Sequence, residues 1–190
     1  MIEIIIILIL TVPIIFYVIH LYNVLVKLRQ KKEEAWSGIF VQLKRRRDLI
    51  PNLVNTVKGY AAHESETLEN VIKARQQAIN IPKDGNLKDI AASENMLSQT
   101  LKSIFALSEN YPDLKANQNF LKLQEQITET EDQIAASRRI YNSNVQLYNT
   151  SCESFPSNII AQRYNFKKAD YFELDEAEKK AVQEVPAVSF

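Results

Sequence analysis

The hydrophobic positions of this chain form one unbroken apolar run followed by several helical stripes. The run extends from Ile2 to Tyr22, 21 residues, and its one charged side chain is Glu3. As a helix it is about 31 Å long, close to the roughly 30 Å hydrocarbon core of a bilayer. The pattern predicts a transmembrane anchor over residues 1–22, with a kink at Pro13 because proline removes a helix hydrogen bond.

A cleaved signal peptide is the alternative interpretation of this run. Such a peptide needs a basic start, a shorter apolar stretch and a small-residue cleavage site. No Lys or Arg precedes the run and no small-residue site follows it, so we expect the segment to stay attached. The basic residues Lys27, Arg29, Lys31 and Lys32 follow closely. Because basic flanks stay in the cytoplasm, we expect a cytoplasmic soluble part and an N-terminus outside.

Apolar residues recur at helical spacing after the anchor, from Val24 to Arg47, without a helix breaker. This spacing predicts one helix that leaves the bilayer and continues into a helical body. Pro51 interrupts the stripe, and Asp48 before it is a residue type favoured at helix starts. We therefore expect a break or a kink near residues 48–51 and a second helix from about Leu53 to Arg75.

The rest of the chain predicts further helices separated by two corners. Pro82–Asn86 is a turn, a third helix covers residues 87–109, and Asn110–Pro112 is the next corner. A last long helix then runs to Phe155. Its stripe advances in steps that average 3.5 residues, the repeat of left-handed bundle and coiled-coil packing. The stripe consists of Phe120, Leu123, Ile127, Thr130, Ile134, Ser137, Tyr141, Val145, Tyr148, Cys152 and Phe155.

The predicted fold class is all-α: an N-terminal transmembrane helix followed by a long antiparallel helical bundle over residues 23–155. Short connections favour antiparallel neighbours, and three glycines in 190 residues leave few tight turns. Pro156 ends the last long helix and Ser157 can cap a short one to about Tyr164. Residues 156–190 are therefore predicted to form a short helix and a tail, which either lies along the bundle or is partly mobile.

Candidate chemistry is sparse along the chain. The formal net charge is zero, with basic residues concentrated before residue 48, which argues against nucleic-acid binding. Neither histidine has the spacing of a zinc or di-iron helix, and Cys152 falls on the apolar stripe. We expect no enzymatic activity, no catalytic or metal-binding residues and no cofactor. The alternative is an unrecognised carboxylate site that includes Glu94, Glu125 or Glu129.

Two short segments are candidate interaction sites. Arg45, Arg46 and Arg47 lie about 35 Å beyond the anchor if the helix is continuous, which is several Debye lengths from the lipid surface. They form a solvated face or intrabundle ion pairs, or else a docking patch for an acidic partner. Val188 and Phe190 fit the end of a strand bound in a carboxylate-capturing groove, as in PDZ domains. The alternative is that Phe190 packs against its own bundle.

Several strings in the chain closely resemble the LemA family. They are Glu33–Trp36, Val41–Arg46, Asp48–Val54, Val57–Tyr60, Tyr111–Asn117, Phe120–Leu121, Leu123–Gln124, Arg138–Asn142, Phe155–Asn158 and Val188–Phe190. The chain departs from the family pattern at Phe40, where a polar or acidic residue is common, and at Arg47, where an aromatic residue is frequent.

The resemblance implies a bacterial membrane protein with an N-terminal span, a long antiparallel helical domain and no catalytic residues. Together with the residue patterns it predicts a non-enzymatic scaffold linked to envelope maintenance. Its expected partners are the lipid bilayer through residues 2–22, and either itself as a homo-oligomer or another membrane protein. Regulation of a membrane protease and membrane remodelling by assembled copies are the alternatives that the resemblance leaves open.

Overall fold

The computed structural model describes residues 1–172, including all side chains among them except those of residues 5–8. Within this range the chain folds into six α-helices and no strand, which confirms the all-α fold class. The helices are α1 (Ile2–Lys58), α2 (Ser65–Asn80), α3 (Leu87–Ser108), α4 (Pro112–Lys115), α5 (Gln118–Glu153) and α6 (Ser157–Arg163).

Helix α1 continues through Pro51, so the break predicted near residues 48–51 is wrong. Proline has no N–H, and its presence leaves the carbonyl of Arg47 without its helical donor. The Nε–H of Arg75 donates to that carbonyl oxygen at 2.8 Å and takes the place of the missing donor. The chain turns instead after Lys58, beginning at Gly59, a residue with low helix propensity. The second helix consequently starts at Ser65 and not near Leu53.

The N-terminal part of α1 is the one stretch in the described range that is long and apolar enough to cross a membrane. Its most apolar window has a mean hydropathy of 2.9, and none of that window is buried by the protein. The core helix of a soluble protein would be largely buried, whereas a helix that meets lipid keeps its apolar side chains on the outside. The predicted anchor is therefore available for contact with lipid.

The first of two compact units contains Met1–Gly38 and Ser137–Tyr171. In it, α1 packs against the end of α5 and against α6. The buried cluster at this contact consists of Leu25, Tyr148, Cys152, Ile160, Ala161 and Phe166. Two of the basic residues that follow the apolar run lie over aromatic rings of this unit: Arg29 over Phe166 at 5.2 Å and Lys32 over Tyr148 at 5.3 Å.

The segment after α6 returns along α5 and is held there by backbone contacts. The side-chain amide of Asn149 donates to the carbonyl of Ala169, and its oxygen accepts from the N–H of the same residue, each at 2.9 Å. The Tyr141 hydroxyl donates to the Asp170 carbonyl at 3.1 Å. Asn165 reverses the chain with a φ of 55°, a left-handed conformation that asparagine tolerates. The first part of the predicted tail therefore lies along the helix.

The second unit, formed mainly by Ile39–Ala136, contains the C-terminal part of α1, α2, α3, α4 and the start of α5. Helices α2 and α3 pack against each other. The buried cluster consists of Ile50, Leu53, Val54, Val57, Ala61, Leu68, Val71, Ala74, Ala78, Leu97, Leu101, Ile104, Leu114, Phe120 and Ile127. The residues contributed by α1, α2 and α3 recur at helical spacing, so one face of each of these helices enters the core.

Candidate functional site

The three consecutive arginines of α1 point in three different directions, because successive helical residues differ by about 100°. Arg46 shares the stripe of Leu43 and Ile50 and is fully buried, with 0% of its surface exposed. Arg47 is also buried, whereas Arg45 faces solvent. The structure thus separates the predicted site into an interior pair and one surface residue.

The guanidinium group of Arg46 is surrounded by acceptors from two other helices. Its Nη1 donates to the Glu131 carboxylate at 2.5 Å and to the Ser98 hydroxyl at 2.6 Å. Its Nη2 donates to the Glu94 carbonyl at 3.1 Å and forms an ion pair with the Glu94 carboxylate. Arg46 therefore connects α1 to α3 and α5 within the second unit.

Arg47 links the same carboxylate to the end of α2. Its Nη2 lies 3.3 Å from Oε1 of Glu94, and its Nη1 donates to the carbonyl of Ala78 at 2.9 Å. Helix α2 has no basic residue of its own in its last turn. Arg47 supplies the missing cation there, which satisfies a terminal carbonyl and complements the negative end of the helix dipole.

The two buried arginines and the two carboxylates of Glu94 and Glu131 balance in charge. Buried ions need such pairing, because an unpaired charge loses its hydration without compensation. We refer to Arg46, Arg47, Glu94, Glu131 and Ser98 as the charge cluster. Since its carboxylates are held by guanidinium groups, the cluster is suited to fixing the register of four helices and not to transferring protons or binding a cation.

Arg45 is the one member of the arginine run that a partner can reach. Its guanidinium lies 3.1 Å from the Glu129 carboxylate, with 44% of one side chain and 56% of the other exposed. Exposed pairs of this kind contribute about 0–1 kcal/mol, so the pair can open for another ligand at low cost. Val188 and Phe190, the other predicted interaction residues, lie outside the described residues.

The carboxylate alternative finds little support in the geometry. Glu94 is in the charge cluster, Glu129 pairs with Arg45, and Glu125 is exposed on α5. Across residues 1–172 no group of three His, Cys, Asp or Glu side chains is arranged to hold a metal ion. A shallow cavity of about 380 Å³ in the second unit is mainly polar. Its walls are formed by Asn52, Asn55, Thr56, Asn119, Lys122, Leu123 and Gln126.

Cys152 is buried in the first unit, as expected from its place on the apolar stripe. Burial raises the pKa of its thiol, which disfavours the thiolate needed for nucleophilic chemistry. Burial also raises the pKa of the neighbouring Tyr148 to about 12. Both groups therefore stay protonated at neutral pH and act as core side chains.

Comparison with known proteins places the chain in a family. The family model described as the LemA family matches residues 35–190, which is most of the chain. The chain belongs to the LemA family. The resemblance noted from the sequence is thereby confirmed, and the matched region includes the charge cluster and helices α5 and α6.

Three LemA relatives extend this comparison. Protein LemA from Metamycoplasma hominis is 29% identical over 168 residues, which cover 87% of this chain and 75% of the relative. Magnetosome protein MamQ 2 from Paramagnetospirillum magneticum is 25% identical, and magnetosome protein MamQ from Magnetospirillum gryphiswaldense 21% identical. Each MamQ alignment covers 80% of this chain but 64% of the relative, so the chain spans less than two thirds of those proteins.

None of these names denotes an enzymatic activity, and the apolar helix together with the family indicates association with a membrane.

Phe40 and Arg47, the two positions expected from the sequence to differ from the family pattern, contact each other. The guanidinium of Arg47 lies 5.3 Å from the ring centroid of Phe40, which is two turns earlier on the same face of α1.

Sequence reasoning did not identify Glu94 and Arg75 as partners of the arginine run. A signal for Glu94 was present, because it lies between Ile90 and Leu97 on the apolar stripe of α3. A carboxylate on a buried stripe needs a buried cation. No comparable signal marked Arg75, whose acceptor is a backbone carbonyl.

Proposed function

We propose that this LemA family member is a membrane-anchored, non-enzymatic interaction protein of the bacterial cell membrane. The apolar part of α1 spans the bilayer, and the two helical units present their surfaces on the cytoplasmic side. Those surfaces bind either a second copy of the chain or another membrane protein. Through this binding the protein contributes to maintenance of the cell envelope.

The observation that carries this proposal is the continuity of α1. The same helix that exposes the apolar run also supplies Leu25 to the core of the first unit and Ile50 and Leu53 to the core of the second. A helix built into both cores is a firm attachment to the bilayer. Such an anchor raises the effective concentration of the units for partners in the same membrane.

The charge cluster supports a structural role for the interior of the second unit. Its carboxylates are occupied by arginines, and its contacts join α1, α2, α3 and α5. Rigid helices of this kind suit a scaffold, whose surface must keep one shape when a partner binds.

The basic residues that follow the apolar run favour a cytoplasmic location for the two helical units.

Photo-crosslinking in intact cells tests the proposal. A photoreactive residue is placed at Val41 or Ile72, both exposed apolar positions outside the apolar run. We expect discrete crosslinked products from the full chain and their loss from a variant that lacks residues 2–17. Absence of any product from the anchored chain would contradict the proposal.

Sizing of the purified full chain in detergent separates the two kinds of partner. Concentration-dependent oligomers support self-assembly. A monomer at all concentrations contradicts self-assembly and leaves a different membrane protein as the partner.

A further inference from the structure

We infer that the α5–α6 corner of the first unit, residues 154–164, is a second membrane-contact surface, on which Phe155, Ile159 and Tyr164 enter the interfacial layer of the bilayer. This inference rests on the proposed membrane anchor. It adds a role for a part of the folded unit that lies more than 130 residues after the apolar run.

The three side chains are exposed although they are large and apolar. Phe155 is 81% exposed, more than any described large apolar side chain between Ile2 and Tyr22, and Ile159 and Tyr164 are each 56% exposed. Phe155 continues the buried stripe of α5 in sequence but lies beyond the last residue of that helix, Glu153. These three exposed side chains lie within ten positions of one another, at the end of α5 and along α6. We refer to them as the patch, and large apolar side chains exposed so close together are typical of sites that contact a lipid or protein surface.

The corner lies beside the C-terminal end of the apolar run. The ring of Tyr22 is 4.9 Å from the ring of Tyr164. Val18 and Leu21 pack against the buried cluster that contains Ile160. The folded unit thus begins to cover α1 at Val18, inside the predicted span.

The length of the uncovered helix sets the depth of this contact. Ile2–Tyr17 is about 24 Å long, which is shorter than the roughly 30 Å hydrocarbon core. With Ile2 at the far edge of a core of this thickness, the hydrocarbon reaches to the level of Val18–Tyr22, where Val18 and Leu21 pack against the cluster that contains Ile160.

The polar side chains around the patch agree with a lipid surface as its occupant. The exposed basic residues Lys27, Arg163 and Lys167 lie within five positions of Tyr22 or Tyr164 in sequence. Basic side chains are attracted to anionic headgroups. The Glu153 carboxylate is paired with Lys168. Tyr22 and Tyr164 are the residue type enriched at the interface between membrane and water.

Depth-dependent fluorescence quenching tests the inference on the full chain. The native Trp36 is first replaced by Phe, which retains an aromatic ring beside Tyr141. Single tryptophans are then introduced as Phe155→Trp or Ile159→Trp. The protein is reconstituted in vesicles of phosphatidylcholine and phosphatidylglycerol, with and without bromine on the acyl chains.

A matched control is available in the same unit. Ile140 is 58% exposed, almost the same as Ile159, but lies on α5 about 20 Å before the end of that helix at 1.5 Å per residue. We expect a blue shift and loss of emission in brominated vesicles for Phe155→Trp and Ile159→Trp, and neither for Ile140→Trp. Circular dichroism of each variant confirms that the helices are retained.

A fourth variant, Ile9→Trp, reports on the anchor itself. Quenching at position 9 with none at positions 155 and 159 overturns the inference and leaves the anchor intact. No quenching at position 9 overturns the anchor and the inference together. A blue shift at position 155 without quenching by bromine also overturns the inference, because it means that a second copy of the protein covers the patch.

Discussion

The charge cluster predicts that Glu94→Gln destabilises the second unit strongly. The substitution keeps the volume of the side chain but removes one of two carboxylates that face Arg46 and Arg47. Arg46 then keeps Glu131, whose side chain is 34% exposed, as its one carboxylate partner, and Arg47 loses the carboxylate that it pairs with. The perturbation is therefore an uncompensated positive charge in the interior of the protein.

The magnitude follows from the burial of the pair. Breaking a buried ion pair by removal of one partner costs about 3–5 kcal/mol. For a chain of this size each kcal/mol lowers the melting temperature by about 2–4 °C. We therefore expect Glu94→Gln to melt about 6–20 °C below the wild-type protein, measured by circular dichroism of the full chain in detergent.

Glu129→Gln is the matched control, because it makes the same chemical change in the partner of the neighbouring arginine. The Arg45–Glu129 pair is exposed, so its loss is expected to cost about 0–1 kcal/mol. The reasoning is refuted if the two variants melt within 2 °C of each other, an interval of about 1 kcal/mol or less.

Two other contacts lead to further predictions. Arg75→Met removes the donor to the Arg47 carbonyl and is expected to lower the free energy of unfolding by about 1–3 kcal/mol. Pro51→Ala returns an N–H to that carbonyl, so it should recover most of this loss in the double variant; equal losses with and without Pro51→Ala, in denaturant titrations, would contradict the explanation. Because burial raises the pKa of Cys152, its thiolate fraction at pH 8 is lower than that of a free cysteine. Colorimetric thiol labelling should be slow in the folded chain and fast in denaturant, and equally fast labelling in both would show that the thiol is accessible.

Periodicity predicted most of the helices because apolar residues are the main determinant of local structure in this chain. The turn at Pro82–Asn86, the third helix and the long helix ending near residue 155 all follow from stripes and breakers within a few residues. Cys152 was placed in the core on the same grounds. These features depend on local sequence, which is why they could be predicted.

The failures come from contacts between residues distant in sequence. Pro51 was treated as a helix break, since nothing nearby indicated that Arg75 would supply a donor to the freed carbonyl. The arginine run by itself did not indicate which of its residues is buried. The apolar stripe through Leu43 and Ile50 passes through Arg46, but the burial of Arg46 also depends on acceptors from α3 and α5. Phe155 continued the stripe in sequence, but α5 ends at Glu153, and the side chain is exposed.

Extraction of cell membranes at alkaline pH is the most direct test of the claim that the apolar part of α1 anchors this protein in a bilayer. A variant lacking residues 2–17 is the control, because it retains Val18 and Leu21, which pack in the first unit. The full chain is predicted to remain in the membrane pellet and the shortened chain to move to the supernatant. Release of the full chain into the supernatant would contradict the account.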